Sequence, residues 1–277
     1  RQRQMCIRDR DSESNDVTSN YSIEYISGTL EVTPRPITVH PDDVIGIYNG
    51  TAFTSNTPIV DPGTIVDGQI ISITTSGSQT NVGVSTNDIT SVTIMSGDTD
   101  VTSNYDITLL PGTLEVTPRP ITFTSADDTK VYDGTELFNN GFTVTSGSYA
   151  EGQSGLVIEN TTIINVGTIA NDLVINILDS ESNDVTSNYS IEYIYGTLEV
   201  TPRPITFTSA DDTKVYDGTE LFNNGFTVTS GSYADGQSGL VIENTTIINV
   251  GTIANDLVIN ILDLSLIHIS EPTRLRR

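Results

Sequence analysis

The string TPRPIT stands at 33–38, 117–122 and 201–206, so the chain repeats itself with a step of 84 residues. A fixed period of this kind restricts the fold to one supersecondary unit made several times, each copy packing on its neighbours. Residues 118–179 and 202–263 are identical except for Glu151 against Asp235. Residues 11–38 match 179–206, two periods away, except for Ser27 against Tyr195. A more diverged copy, 34–117, keeps five glycines and the strings DVTSNY and GTLEVTPRPIT in register with 118–201. Glycine accepts positive φ without steric cost, so these glycines mark turns.

Within 118–201, short runs of Val, Ile, Thr, Phe and Tyr alternate with Gly, Asn, Asp and Ser every 8–12 residues or so, the pattern of an all-β sandwich or barrel. It predicts strands near 120–125, 129–132, 141–146, 156–161, 162–166, 172–178, 189–194 and 197–201. In DLVINIL, Leu173, Ile175 and Ile177 share one face at period two. YSIEYIYGTLEV reads as a hairpin about Tyr195 and Gly196, with Ile191, Tyr193, Leu198 and Val200 facing in. No segment carries a 3.6-residue apolar period, so no long helix is expected. The Pro-Arg-Pro element joins one unit's last strand to the next unit's first, and proline makes such a joint stiff and extended. The reading is all-β: tandem small β-sandwich-like modules in an elongated array with an 84-residue repeat.

The repeat stops abruptly at both ends. Where it predicts IANDLVINIL before Asp11 the chain has RQRQMCIRDR, and where it predicts SESNDVTSNY after Asp263 it has LSLIHISEPT. Residues 1–10 and 264–274 resemble translations of a widely used transposase-type sequencing adapter, with 275–277 as index sequence. They are therefore set apart from fold reasoning as adapter-derived. The resulting divisions are 11–37, the closing hairpin of a truncated module; 38–121, a diverged module; 122–205, a complete module; and 206–263, a truncated one.

Without the tails, five of the 12 basic residues and 34 of the 36 acidic ones remain, a net charge of 5 − 34 = −29. A surface so acidic repels nucleic acid and anionic lipid, so no nucleic-acid partner is expected. No run of about 20 apolar residues is present, so no membrane insertion is expected. The interior lacks Cys and has His40 alone, which removes disulfides and any repeating Ser-His-Asp or Cys-His constellation. The expectation is a protein that is not an enzyme.

The segment DDTKVYDGT at 127–135, its copy at 211–219 and the weaker DVIGIYNGT at 43–51 resemble the YDG and MBG families of bacterial surface repeats. The block DVTSNYxI…GTLEV…RPIT is similar to the junction sequence of the same group. The resemblance implies mostly-β modules in large secreted or cell-surface, adhesin-like proteins, located outside the cell or on its surface, with no catalytic residues.

Tyr132, Asp133 and Thr135, with their copies Tyr216, Asp217 and Thr219, read first as a turn, in which the Asp side chain bonds its own backbone. They read second as a contact surface. The pairs Asp127/Asp128 and Asp211/Asp212 are calcium candidates, since calcium takes six to eight oxygen ligands, although no D-x-D-x-D-G loop accompanies them. Asp179, Glu181 and Asp184 form a weaker group. Three functions stay open: a non-catalytic stalk or spacer, multivalent repeats that bind host glycan or surface protein, and a calcium-rigidified rod. The last unit lacks its closing hairpin while residues 11–33 are orphaned at the other end, so head-to-tail self-association is expected from the exposed strand edge.

Overall fold

β-Branched residues at alternate positions favour a pleated, half-buried backbone, and in the computed structural model the described residues form 21 strands. Residue 16 and residues 18–264 are described; the two tails, apart from Leu264, lie outside them. The protein is all-β. Among the described residues the only helical elements are three 3-10 turns, each made by a Thr-Ser-Asn triplet: Thr18–Asn20, Thr102–Asn104 and Thr186–Asn188.

The chain forms two compact units. The first contains residues up to Pro41, Asn56–Thr75 and Ile89–Pro111. In it the strand Arg35–Pro41 lies between Pro58–Val60, antiparallel, and Tyr105–Leu109, parallel. A second sheet orders Gln69–Thr75, Ile89–Ser96 and Thr99–Asp100. Between them Ile37, Val39, Ile73, Ile94 and Tyr105 make the core.

The second unit contains Asp42–Ser55, Ser76–Asp88 and the described residues from Gly112 on. It opens with a sheet whose middle strand, Gly112–Thr117, pairs parallel with Val44–Ile47 and antiparallel with Gly83–Asn87. Arg119–Ser125 follows after Pro118 alone, flanked by antiparallel Phe142–Gly147 and parallel Tyr189–Ile194. Ser154–Asn160 pairs with Leu173–Leu178, and Thr197–Thr201 sits between Asp128–Val131 and Gly167–Ala170. Tyr48 and Val116 from the opening sheet share one core with Ile121, Phe123, Ile175, Ile177 and Tyr189. Leu198 and Val200 form a second core with Leu137.

Leu173, Ile175 and Ile177 are 3 %, 1 % and 0 % exposed, as their period-two spacing predicts. Two expectations fail. Residues 162–166 are not a strand; Ile163 makes one bridge to Leu137, and the strand is Gly167–Ala170. The segment 189–201 is not a hairpin either, since its two strands join different sheets. The cause lies at Gly196. A Cβ there would come within 2.7 Å of the Ala126 and Ser125 backbone, and the Gly196 N–H donates to Ser125 Oγ at 2.8 Å. The bare backbone crosses the Ser125–Ala126 strand end and leaves one sheet for the next. So one of the glycines read as a turn serves close approach instead.

Candidate functional site

The sequence places candidate chemistry in Lys-Val-Tyr-Asp-Gly-Thr, and the structure divides that segment into two devices. The first is a turn. Asp133 Oδ1 accepts from the Thr135 N–H at 2.9 Å and the Thr135 hydroxyl at 2.8 Å, while Gly134 takes φ 83°. Lys130 Nζ closes it, donating to Asp133 at 2.8 Å and to the carbonyls of Thr135 and Glu136 at 2.6 and 3.1 Å. Lys214, Asp217 and Thr219 repeat these contacts. In the diverged copy Asn49 makes the same turn, accepting from Thr51 N and Oγ1 at 2.8 Å. There the lysine's place is taken by Gly46, where any Cβ would overlap the Phe53 ring. The carboxylate thus accompanies the lysine: with no ammonium to pair, a neutral amide completes the turn.

The Lys130 ammonium, with two hydrogen bonds from Thr135, holds the Asp133 carboxyl well below the usual carboxylate range. Lys214 and Thr219 hold Asp217 down, to about 2. A depressed folded-state pKa stabilises the fold above the unfolded value of 3.8, and that contribution disappears as pH falls through about 2. An NMR titration of Asp217 should give a midpoint near 2, and Lys214→Met should move it up toward 3.8.

The second device is the tyrosine, which belongs to a joint. Tyr48, 2 % exposed, receives Gln153 Nε2 on its hydroxyl at 2.8 Å and Arg119 Nη1 on its carbonyl at 3.3 Å. Its ring meets Tyr189 edge-on, with centroids 5.6 Å apart. The Tyr189 hydroxyl donates to Gln153 Oε1 at 2.5 Å and accepts from the Ala150 N–H at 2.9 Å. Asn188 adds a further link, accepting from Val82 N at 2.8 Å and donating to Asn81 at 3.1 Å. Arg119 is fixed by Ser148, whose carbonyl and hydroxyl accept at 2.6 and 2.7 Å.

Tyr132 repeats the arrangement 84 positions on, with Gln237 Nε2 on its hydroxyl at 2.7 Å and Arg203 Nη1 on its carbonyl at 3.3 Å. Tyr216, the third copy, is 60 % exposed. The six residues singled out as a contact surface therefore separate: Tyr132 faces a joint, Tyr216 stays exposed, and Asp133, Thr135, Asp217 and Thr219 stay in their turns. The arginines escaped the sequence reading. Their signal was present, because Arg35, Arg119 and Arg203 are three of only five basic residues in 11–263 and fall 84 apart.

The acidic pairs have local partners. Asp127 Oδ1 accepts from Thr197 N and Oγ1 at 2.7 and 3.0 Å, which pins the strand Thr197–Thr201. Asp128 accepts from Thr129 N at 2.8 Å and Asp212 from Thr213 N at 2.8 Å, and Asp211 lines a groove. Asp179 accepts from Glu181 N and Asn183 N, both at 2.9 Å, and Asp184 from Thr186 N at 2.9 Å. Among the described residues no group of three His, Cys, Asp or Glu side chains is placed to hold a metal ion. Among the same residues no helix is long and apolar enough to cross a membrane.

No known family model matches the chain, and no curated protein matches it.

Proposed function

We propose that the chain is a non-catalytic repeat region, a stalk or spacer built from tandem 84-residue β modules, of a large secreted or cell-surface bacterial protein of the YDG/MBG adhesin-like type. One observation carries this reading. Across a joint between copies, Gln153 and Gln237 donate to the hydroxyls of Tyr48 and Tyr132, and Arg119 and Arg203 donate to the main-chain carbonyls of the same tyrosines. A module whose distinctive residues bind the next module is built for length and stiffness. The acidic interior 11–263, which carries no cysteine, fits an extracellular location as well as it fits the cytosol, so the location follows from the YDG/MBG resemblance.

The full chain, presented to a glycan array and to extracellular host proteins at about 10 μM, should bind none of them; dissociation constants in the micromolar range would contradict the spacer reading. A multivalent-binding reading draws on Phe138 and Phe222, 52 % and 54 % exposed and one period apart. If binding is found and the Phe138→Ser/Phe222→Ser variant abolishes it, that second reading replaces the first. The calcium-rigidified rod makes a separate claim, that the melting temperature rises with added calcium.

A further inference from the structure

The dipeptide Asn-Gly occurs three times, at Asn49-Gly50, Asn140-Gly141 and Asn224-Gly225. An asparagine amide before glycine is open to attack by the following main-chain nitrogen, because glycine has no side chain to block the approach. The attack closes a five-membered imide, and the fold decides whether the nitrogen is available.

At the two later dipeptides it is engaged. The Gly141 N–H donates to Asn139 Oδ1 at 2.7 Å, and the Gly225 N–H to Asn223 Oδ1 at 2.8 Å. The side chains are occupied as well, since Asn140 and Asn224 accept from Asn160 and Asn244 Nδ2, both at 2.6 Å. The Gly141 carbonyl accepts from Ala126 N at 2.9 Å and that of Gly225 from Ala210 N at 2.8 Å, which ties both glycines to a strand end.

Asn49-Gly50 has the opposite setting. Both residues are exposed, and no described residue accepts the Gly50 N–H. Asn49 Oδ1 accepts from Thr51 N and Thr51 Oγ1, both at 2.8 Å. The bond from Thr51 N folds the amide back over the intervening peptide, which carries Asn49 Cγ toward Gly50 N. The same two donors point at the oxygen that gathers negative charge when Cγ is attacked, as in an oxyanion hole.

The other copies of this turn are inert for a separate reason. Asp133 and Asp217 also precede glycines, but an aspartate closes the imide only when its carboxyl is protonated and water leaves. Lys130 and Lys214, at 2.8 and 2.9 Å, keep both carboxylates ionised. The diverged copy has Gly46 in the lysine's place and carries the labile amide.

We propose that Asn49 is a site of spontaneous deamidation that ages the joint between copies. Gly50 N, once deprotonated, attacks Asn49 Cγ. The N–Cγ bond forms, the Cγ–Nδ2 bond breaks, and Nδ2 leaves as ammonia with the proton that Gly50 gave up. Water then opens the imide. Opening at Cγ yields aspartate; opening at the main-chain carbonyl yields isoaspartate, whose chain runs through Cβ and is one atom longer. The turn lies on the joint, because a Cβ added to Gly50 would stand 3.5 Å from both Ala150 Cβ and Gln153 Nε2. Tyr48, the preceding residue, is the buried tyrosine that Gln153 and Arg119 hold. The extra atom at 49 therefore shifts Gly50 against Ala150 and Gln153 and disturbs the hydrogen bonds of Tyr48.

The inference rests on the turn and stands or falls separately from the spacer function. The test incubates the full chain for weeks at physiological temperature and mildly alkaline pH, then maps its peptides by mass spectrometry. Isoaspartate is counted by methyl transfer from S-adenosylmethionine with isoaspartyl methyltransferase as the probe. Asn49 should lose its amide at least ~10-fold faster than Asn140 or Asn224, the ratio expected where attack must first break a hydrogen bond. In concentrated urea, with the fold gone, the three rates should converge. Chains carrying isoaspartate at 49 should unfold at lower urea than fresh chains, while Asn49→Asp, which supplies the other product, should unfold with the fresh ones. Equal rates at the three sites of the folded chain, or a slower loss at Asn49, overturn the site. An isoaspartate-bearing chain with an unchanged urea midpoint overturns its effect on the joint.

Discussion

Phe123→Ala should destabilise the second unit by about 3–5 kcal/mol, measured as a fall in the urea midpoint of the full chain at unchanged slope. Phe123 is 1 % exposed. Its ring meets Phe142 edge-on at 5.4 Å between centroids and lies 6.0 Å from both Tyr149 and Tyr193. Truncation removes the ring from three aromatic neighbours on three strands or loops, and rigid strands on either side prevent collapse into the void. The same change at Phe207 provides the internal control. That ring keeps its edge contact with Phe226 and its contact with Tyr233, but has no counterpart of Tyr193 above it. Phe207→Ala should therefore cost clearly less, although the sequence around the two positions is the same.

The second large effect is graded along the chain. Tyr48→Ala removes a fully buried ring, its edge contact with Tyr189 and the hydroxyl's bond from Gln153, and should cost about 3–5 kcal/mol. Tyr132→Ala removes a half-buried ring whose hydroxyl receives Gln237 but which has no described ring partner, and it keeps the carbonyl that Arg203 bonds, so its cost should be intermediate. Tyr216→Ala, at a position 60 % exposed, should leave the monomer's stability within about 0.5 kcal/mol. Three chemically equal substitutions then rank by what the following copy supplies.

Much of this architecture was legible before any coordinates. The alternation in DLVINIL placed Leu173, Ile175 and Ile177 inward, and the inward set Ile191, Tyr193, Leu198 and Val200 was also right. What failed was the pairing of 189–194 with 197–201. A short Tyr-Gly link between two strands looks like a hairpin in sequence, because nothing local records that Gly196 must pass against Ser125 and Ala126. The strand Gly167–Ala170 was missed for a related reason: its four residues are marked by a glycine and owe their extension to the neighbouring strand Thr197–Thr201. Its counterpart 251–254, with the same sequence and no such neighbour, is not a strand.

The site was legible in part. Asp133 and Thr135 form the turn their residue types suggest, and the exchange of Asp for Asn at position 49 follows from the loss of the lysine at Gly46. The role of the tyrosine was hidden, because its partners Gln153 and Tyr189 lie more than a full period away in sequence. The arginines were overlooked between two prolines whose backbone effect was the more conspicuous. Long-range partners leave a trace only in the recurrence of residue types that the composition otherwise avoids, and the five basic residues of so acidic a segment as 11–263 are such a trace.

The most direct test of the joint is a double-mutant cycle between Tyr48 and Tyr189 in urea unfolding of the full chain. If successive copies are fastened through these rings and Gln153, the two alanine substitutions should be non-additive, with a coupling of about 1 kcal/mol. Additivity within ~0.3 kcal/mol would mean the rings do not meet in solution, and would contradict the account.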